Sequence, residues 1–175
     1  WDDDGHLLMR FSAEVVDNVR QMMTRLSSQT GEVPSRLALV SALPGEGTTY
    51  ITRALATVMA HDLASRIALV DLNWWSPAQP PIASSRNNGL VSVVTGDKRL
   101  DEVFVRTALP NLTLIPAGRL ERGDRPIMAR SNVLKSALEV LDQHFDYLVL
   151  DIPAVRATND AVPLASLTLS QTASI

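Results

Sequence analysis

The chain has no cysteine and few aromatic residues. Aromatic side chains make up 5% of its 175 residues, and cysteine is absent. Without cysteine there is neither a disulfide framework nor a thiolate metal site. The histidines, His6, His61 and His144, lie far apart and lack the spacing of metal ligands. These absences exclude a disulfide-stabilised fold and a cysteine-based zinc centre.

Basic charge and long apolar runs are also scarce. The formal net charge is −3 at pH 7, which gives no reason to expect a nucleic-acid partner. No apolar run approaches the length of a membrane span, and no signal peptide is visible. Lysine occurs only at Lys98 and Lys135. Because the chain begins with Trp1 rather than Met, we expect it to be a fragment whose upstream segment has been removed.

The most informative stretch is RLALVSALPGEGTTY, at residues 36–50. Its apolar first half predicts a strand that is buried on both faces. Proline and glycine then predict a tight loop, after which a helix is expected from Thr48 to Leu63. Unpaired N–H groups and the helix dipole would both face this loop and make an anion site. The predicted nucleotide-binding residues are Pro44, Gly45, Glu46, Gly47, Thr48 and Thr49.

The same loop departs from the phosphate-loop motif, in which lysine and then serine or threonine follow the last glycine. Thr48 stands where the lysine belongs, and Thr49 holds the hydroxyl position that is expected to meet magnesium. Ala42 replaces the first glycine of the motif. A dinucleotide-binding motif would need glycine at Tyr50, so that spacing fails. On this stretch alone, an ordinary strand–turn–helix without a ligand remains an alternative.

Two further apolar runs end in a carboxylate. IALVD at 67–71 and YLVLD at 147–151 predict buried strands that end at Asp71 and Asp151. The carboxyl ends of parallel strands are where ligands bind in an open α/β sheet. A phosphate loop, a hydroxyl and strand-end aspartates together hold magnesium in P-loop enzymes. Asp71 and Asp151 are therefore candidate metal ligands and catalytic residues, although Asp71 could instead cap a loop.

The remaining patterns complete an alternation of strands and helices, which predicts an α/β fold with a parallel sheet flanked by helices. One domain is expected over 12–169, between an irregular segment at 1–11 and a polar tail at 170–175. In the first half of the chain, the other predicted elements are a helix capped by Ser12 that ends near Leu26 and a polar loop over Ser27–Pro34. In the middle they are short helices at Gly89–Thr95 and Leu100–Val105 and a strand at Leu112–Pro116. In the last part they are a charged loop over Gly118–Arg130, a helix from Asn132 to His144 capped by Asn132, and a last helix capped by Asn159 or Asp160.

Six segments occur in an order and at distances that are typical of one family. They are SALPGEG, IALVDLNWWSP, NGLVSVVTGDKRLDEV, LPNLTLIPAG, FDYLVLDIPAV and NDAVPLA. Through them, from about Ser12 to Leu167, the chain resembles the bacterial tyrosine kinases (BY-kinases) of capsule and exopolysaccharide biosynthesis. The resemblance implies a P-loop NTPase fold of the MinD/ParA type. It also implies ATP and Mg²⁺ as cofactors, with Thr49, Asp71 and Asp151 placed towards the metal.

The resemblance also implies partners and a location. The partner would be a membrane chain-length determinant, also called a polysaccharide co-polymerase, and the domain would lie in the cytoplasm at the inner face of the cell membrane. Glu14 and Arg20 match two positions of the family's oligomerising helix, which implies a homo-oligomer. Asp17 stands where that helix has its first arginine, and this weakens the expectation.

Several departures from the family concern its chemistry. Thr48 replaces the loop lysine, and Asn73 replaces the second carboxylate of the family's aspartate pair. Trp75 and Ser76 replace two arginines. The chain has no tyrosine-rich tail. The family continues beyond Leu167 with another strand and a base-binding loop, so we expect a C-terminal truncation and an incomplete adenine pocket.

Three hypotheses follow. The first is a degenerate BY-kinase-like domain of polysaccharide biosynthesis or export, in which ATP binding and hydrolysis are weak or absent. The second is an active tyrosine kinase or ATPase whose missing charge comes from Arg53, another subunit or a partner. The third is a MinD/ParA-like positioning ATPase, which is less favoured because Glu46 occupies the region of that group's additional lysine.

Overall fold

The structure is a computed structural model that describes Leu7, residues 9–75 and residues 89–168. The predicted polar tail at 170–175 and the position of Ser76 lie outside these residues. The strands are β1 (Arg36–Leu39), β2 (Ile67–Asp71), β3 (Val105–Arg106), β4 (Leu112–Ile115) and β5 (Tyr147–Asp151). The helices are α1 (Ala13–Thr30), α2 (Thr48–Leu63), α3 (Leu90–Val94), α4 (Arg125–Ala129), α5 (Asn132–His144) and α6 (Ala161–Ala165), with 3₁₀ turns at Leu100–Val103 and Ser166–Thr168.

The strands form one sheet in the order β1-β5-β2-β4-β3. All neighbours are parallel except β3, which runs antiparallel to β4 at the edge. The predicted parallel sheet flanked by helices is confirmed in its main part. The antiparallel edge was not predicted, because β3 is only two residues long. A helix was expected to continue to Val105, but the 3₁₀ turn ends at Val103 and the chain then enters β3.

The sheet is covered on both faces, and this explains why its central strands are continuous apolar runs. Ile67 and Leu69 of β2 pack in one core cluster with α1 and α2. Their neighbours Ala68 and Val70 pack in the other cluster with α3 and α5. Because side chains alternate along a strand, the next odd residue, Asp71, belongs to the α2 face of the sheet.

Helix α1 is longer than predicted. Ser12 caps its start by accepting the Val15 N–H at 3.4 Å, as expected. The helix continues past Leu26 to Thr30, so the first half of the predicted loop over Ser27–Pro34 is wrong. The hydroxyls of Ser27 and Thr30 donate to carbonyls one turn earlier and so satisfy polar groups inside the helix. Gly31, at φ +84°, ends it.

Three predictions in the C-terminal half also need correction. The predicted loop over Gly118–Arg130 contains the short helix α4. Ser131, rather than Asn132, caps α5 by accepting the N–H groups of Val133 and Leu134. Asp160 occupies the N-cap position of α6, but its side chain makes no capping hydrogen bond. None of the helices in the described part of the chain combines the length and hydrophobicity needed to cross a bilayer.

Candidate nucleotide and magnesium site

The loop between β1 and α2 has the backbone of a glycine turn. Gly45 and Gly47 have φ angles of +88° and +82°, in the left-handed region that favours glycine. The carbonyl of Gly47 accepts the Ile51 N–H at 3.0 Å, and α2 begins at Thr48 as predicted. The glycines therefore turn the chain so that the N-terminus of α2 faces the loop.

The loop is held by neighbouring backbone and by one of its own acids. The N–H groups of Val155 and Arg156, which follow β5, donate to the carbonyls of Ser41 and Ala42 at 2.9 and 3.0 Å. The Glu46 carboxylate accepts the Leu43 N–H at 3.0 Å. One loop N–H is thus satisfied by a carboxylate of the same loop.

Parallel pairing of β2 with β5 brings the two candidate aspartates together. Asp71 and Asp151 are partners in the register of these strands, and the Leu72 N–H donates to the Asp151 carbonyl at 2.9 Å. Val149 packs in the same cluster as α2, so alternation along β5 assigns Asp151 to the α2 face as well. Both carboxylates therefore lie on the side of the sheet that carries the N-terminal turn of α2.

Asp151 is a buried acid with an unsatisfied oxygen. The residue is 3% exposed, and within the described part of the chain its Oδ1 has no hydrogen-bond partner. Burial raises the pKa of Asp151, while a hydrogen bond from the Thr49 side chain and the charge of Arg53 act in the opposite direction. An unpaired buried carboxylate oxygen is costly in a folded protein, and a cation would remove that cost.

Asp71 accepts a hydrogen bond from the backbone, and its pKa is raised. Its Oδ1 accepts the Asn73 N–H at 2.9 Å, so the alternative of a loop cap is also correct. Burial and then the charge of Asp151 raise the pKa of Asp71 to about 7, against the opposing effects of the Asn73 N–H and Arg53. Near neutral pH, the two neighbouring acids therefore resist being fully ionised together.

An open cleft of about 690 Å³ lies between the loop, the first turns of α2 and the ends of β2 and β5. Thr48 and Thr49 line it, as do Arg53, Asn73 and Trp75. Among the described residues that line this cleft, Arg53 has the only positively charged side chain. The cleft therefore has the position of a nucleotide site but lacks a lysine ammonium.

The oxygen atoms at the cleft fit Mg²⁺. This ion prefers oxygen ligands, keeps several waters, and is usually bound through one or two carboxylates together with substrate phosphates. Thr49, Asp71 and Asp151 offer such a set, and the unsatisfied Asp151 oxygen provides a place for the ion. No group of three or more His, Cys, Asp or Glu side chains that could hold a metal occurs in the described ranges, so these residues match a partly hydrated ion better than a closed protein cage.

Two tryptophans extend the cleft region beyond what the sequence indicated. Trp74 is buried, and its Nε1–H donates to the Ala117 carbonyl at 3.0 Å. Trp75 is partly exposed, and the Arg125 guanidinium lies 6.0 Å from the centre of its ring. Arg125 was not anticipated, because it is remote in sequence and belongs to the unpredicted helix α4.

The predicted oligomer residues lie on α1. Glu14 is exposed in its first turn. Arg20 binds Asp62 of α2 through two hydrogen bonds of 2.7 and 3.0 Å, and it lies 3.7 Å from Asp17. Because its guanidinium is engaged within the chain, Arg20 offers less to a neighbouring subunit, and assembly through α1 remains a prediction.

Known proteins are similar to this chain in sequence and in fold. Residues 35–173 match the family model described as cellulose biosynthesis protein BcsQ. The chain is 24% identical over 155 residues to the tyrosine-protein kinase ptk of Acinetobacter johnsonii, an alignment that covers 87% of this chain and 21% of that protein. The chain therefore spans about a fifth of the length of ptk.

Two solved structures illustrate the fold similarity. The chimerical protein CapA2B2 superposes with a TM-score of 0.79 at 18% identity, covering 93% of this chain and 76% of that one. The septum site-determining protein MinD of Pyrococcus horikoshii, complexed with Mg-ADP, superposes with a TM-score of 0.59 at 20% identity, covering 76% and 54%. The predicted fold of the MinD type is confirmed.

Proposed function

The chain belongs to the family of the cellulose biosynthesis protein BcsQ, within the P-loop ATPases related to bacterial tyrosine kinases, and on that basis we propose that it is an impaired nucleotide-binding domain of exopolysaccharide biosynthesis or export. It binds magnesium and nucleotide weakly, and hydrolyses ATP slowly or not at all. Cellulose or a related exopolysaccharide is the product class that the family description favours.

The observation that carries this proposal is Thr48 at the first position of α2, in the cleft where a P-loop lysine would stand. In phosphoryl transfer, one positioned electrostatic donor is worth roughly a hundred- to thousandfold in rate. A charge-assisted hydrogen bond in the ground state is worth only about 1.5–3 kcal/mol. The absence of lysine therefore reduces catalysis more than binding.

The residues present support the remaining functions of such a site. Loop N–H groups and the N-terminus of α2 would bind phosphate oxygens. Thr49, Asp71 and Asp151 would hold Mg²⁺, which supplies positive charge to the phosphates when it is bound. The pairing of Asp71 with Asp151 at the ends of adjacent strands supports this assignment.

Titration with Mg·ATP, followed calorimetrically, tests the proposal. Wild-type protein is expected to bind weakly, and Thr48→Lys is expected to bind about ten- to a hundredfold more tightly, because the ammonium restores one charge-assisted bond. Thr24→Lys, an exposed change on α1 that adds the same charge outside the cleft, is the control and should leave affinity unchanged. Equal affinities for wild type and Thr48→Lys would contradict the proposal.

An active ATPase or protein-tyrosine kinase is the second candidate, favoured by the positive charge of Arg53 in the cleft. Incubation of the wild-type protein with labelled ATP distinguishes the two. Magnesium-dependent turnover that is lost in Asp151→Ala would support the active enzyme and refute an impaired one. Absence of turnover, with binding retained, would support the impaired domain.

The partner and location proposed for the domain rest on the resemblance alone. It would act in the cytoplasm, beside a membrane chain-length determinant at the inner face of the cell membrane. Co-purification of the tagged domain with that membrane protein from the same cells would support this arrangement. For self-association through α1, light scattering at high protein concentration should detect an oligomer, and a monomer under those conditions would contradict it.

A further inference from the structure

Arg53 is directed towards the loop by the geometry of α2. It follows Thr49 by four residues, so both side chains lie on one face of the helix. Side chains of an α-helix slope towards its N-terminus, and that end of α2 faces the loop. Thr49 and Arg53 accordingly line the same cleft.

We propose that Arg53 is the phosphate-binding cation of this cleft, and that it supplies to a bound nucleoside di- or triphosphate the positive charge that Thr48 lacks. The inference rests on the proposed function, since it assigns the residual nucleotide affinity of that site to one side chain. A guanidinium suits the role because its planar N–H groups can donate two parallel hydrogen bonds to a phosphate.

Arg53 is half-buried, and it has the only positively charged side chain among the described residues that line the cleft. None of the ion pairs in the described part of the chain uses its guanidinium, so no carboxylate bond has to break before a phosphate binds. The arginines that bind a carboxylate directly are Arg20 with Asp62, Arg36 with Asp142, Arg66 with Asp146, Arg99 with Asp101 and Arg130 with Asp160.

Magnesium and Arg53 act on the same carboxylates. Asp71 and Asp151 lie on the face of the sheet that carries α2, and Arg53 lines the cleft from α2, so the guanidinium and the carboxylates attract each other. A divalent cation bound to those carboxylates would repel the guanidinium and at the same time bring phosphate oxygens to the cleft. Arg53 would then turn from the carboxylates to the phosphates, so the absence of Arg53 should strengthen Mg²⁺ binding and weaken nucleotide binding.

A double-mutant cycle with Mg·ADP tests the assignment, because ADP is not consumed during the titration. Arg53→Gln is expected to weaken binding to the wild-type cleft about tenfold or more, as for loss of a charge-assisted hydrogen bond. In the Thr48→Lys background the same change should cost much less, because lysine then supplies the charge. Arg53→Lys should recover part of the affinity. Arg106→Gln, an exposed change on β3, is the matched control and should have no effect.

A second measurement separates a phosphate contact from a structural role. Titration with MgCl₂ alone should show tighter Mg²⁺ binding by Arg53→Gln than by wild type, which a merely destabilised variant would not show. Thermal unfolding establishes that each variant is folded. Equal Mg·ADP affinity of wild type and Arg53→Gln, with tighter binding by Thr48→Lys, would overturn the assignment and leave the proposed function intact. An equal loss in both backgrounds would also overturn it, whereas no gain from Thr48→Lys would instead refute the proposed function.

Discussion

Two regions of the molecule differ in how fully their buried charged side chains are hydrogen-bonded. Where β1 meets α5, the Arg36 side chain is 8% exposed; its Nε donates to Asp142 at 3.0 Å, and its Nη1 donates to the Leu167 carbonyl at 2.7 Å. At the cleft, Asp151 is as deeply buried, yet one of its oxygens has no partner in the described part of the chain. The charge that joins β1 to α5 is satisfied by the fold, whereas the buried acid beside the cleft keeps an unsatisfied oxygen.

The same difference in hydrogen bonding is seen between two buried aspartates, Asp160 and Asp151. The Asp160 carboxylate accepts hydrogen bonds from Arg130 and from the Thr158 hydroxyl, and so links α4 to the start of α6. Asp151 forms no ion pair with an arginine in the described part of the chain and keeps an unsatisfied Oδ1. The contact pattern alone therefore distinguishes a structural acid from a candidate ligand.

The largest change in stability is expected from removal of Arg36, because its charge is hydrogen-bonded within the fold. Arg36→Ala should lower the free energy of unfolding by about 3 kcal/mol, because it removes the charge-assisted bonds of a buried guanidinium to the more exposed Asp142 and leaves the Leu167 carbonyl without its donor. Urea denaturation measures the change. Arg66→Ala is the control, since it removes an exposed pair with Asp146 and should cost about 0–1 kcal/mol. Equal losses from the two variants would contradict the comparison.

A smaller effect of opposite sign is expected at the cleft. Asp151→Asn should raise the free energy of unfolding in the absence of magnesium by about 1–3 kcal/mol, because it replaces an unsatisfied buried charge by a neutral amide. The same variant should lose the stabilisation that wild type gains from Mg·ADP. Asp160→Asn is the matched control and should be less stable than wild type. If both variants were destabilised, Asp151 would be a structural acid.

The last expected effect is a dependence of stability on pH. Because the pKa of Asp71 is about 7 in the fold against an ordinary value of 3.8, the folded state favours its protonated form. Its contribution to stability is complete below about pH 4 and is lost as the pH rises to about 7. Urea denaturation from pH 5 to 8 should show wild type losing stability more steeply than Asp71→Asn. Parallel profiles would refute this, and added Mg²⁺ should flatten the wild-type profile.

Prediction from the sequence was most accurate for elements whose own residues carry a clear pattern. The bounds of α2, β2 and β5 agree with prediction, because a glycine loop precedes the helix and both strands are continuous apolar runs. The two-residue strand β3 and the short helix α4 were missed. Elements of that length carry no periodic pattern, and contacts with the rest of the fold decide their conformation.

The candidate site was predictable in its residue types but not in its contacts. Sequence placed Asp71 and Asp151 at strand ends, and parallel pairing then brought them together. It did not indicate that Glu46 would bind a loop N–H, because that bond depends on the path of the turn. The approach of Arg125 to Trp75 joins segments that only the folded chain brings into contact.

The pairing of Asp71 with Asp151 has a consequence for the fidelity of folding. Side chains alternate between the two faces of a sheet, so a slip of one residue between β2 and β5 would send one of these acids into the layer that contains α5. It would meet an apolar core there, and its partner would remain alone. If the proposed site holds magnesium, affinity for the ion would report whether the central strands have aligned correctly, and a misaligned population would be visible as protein that does not bind it.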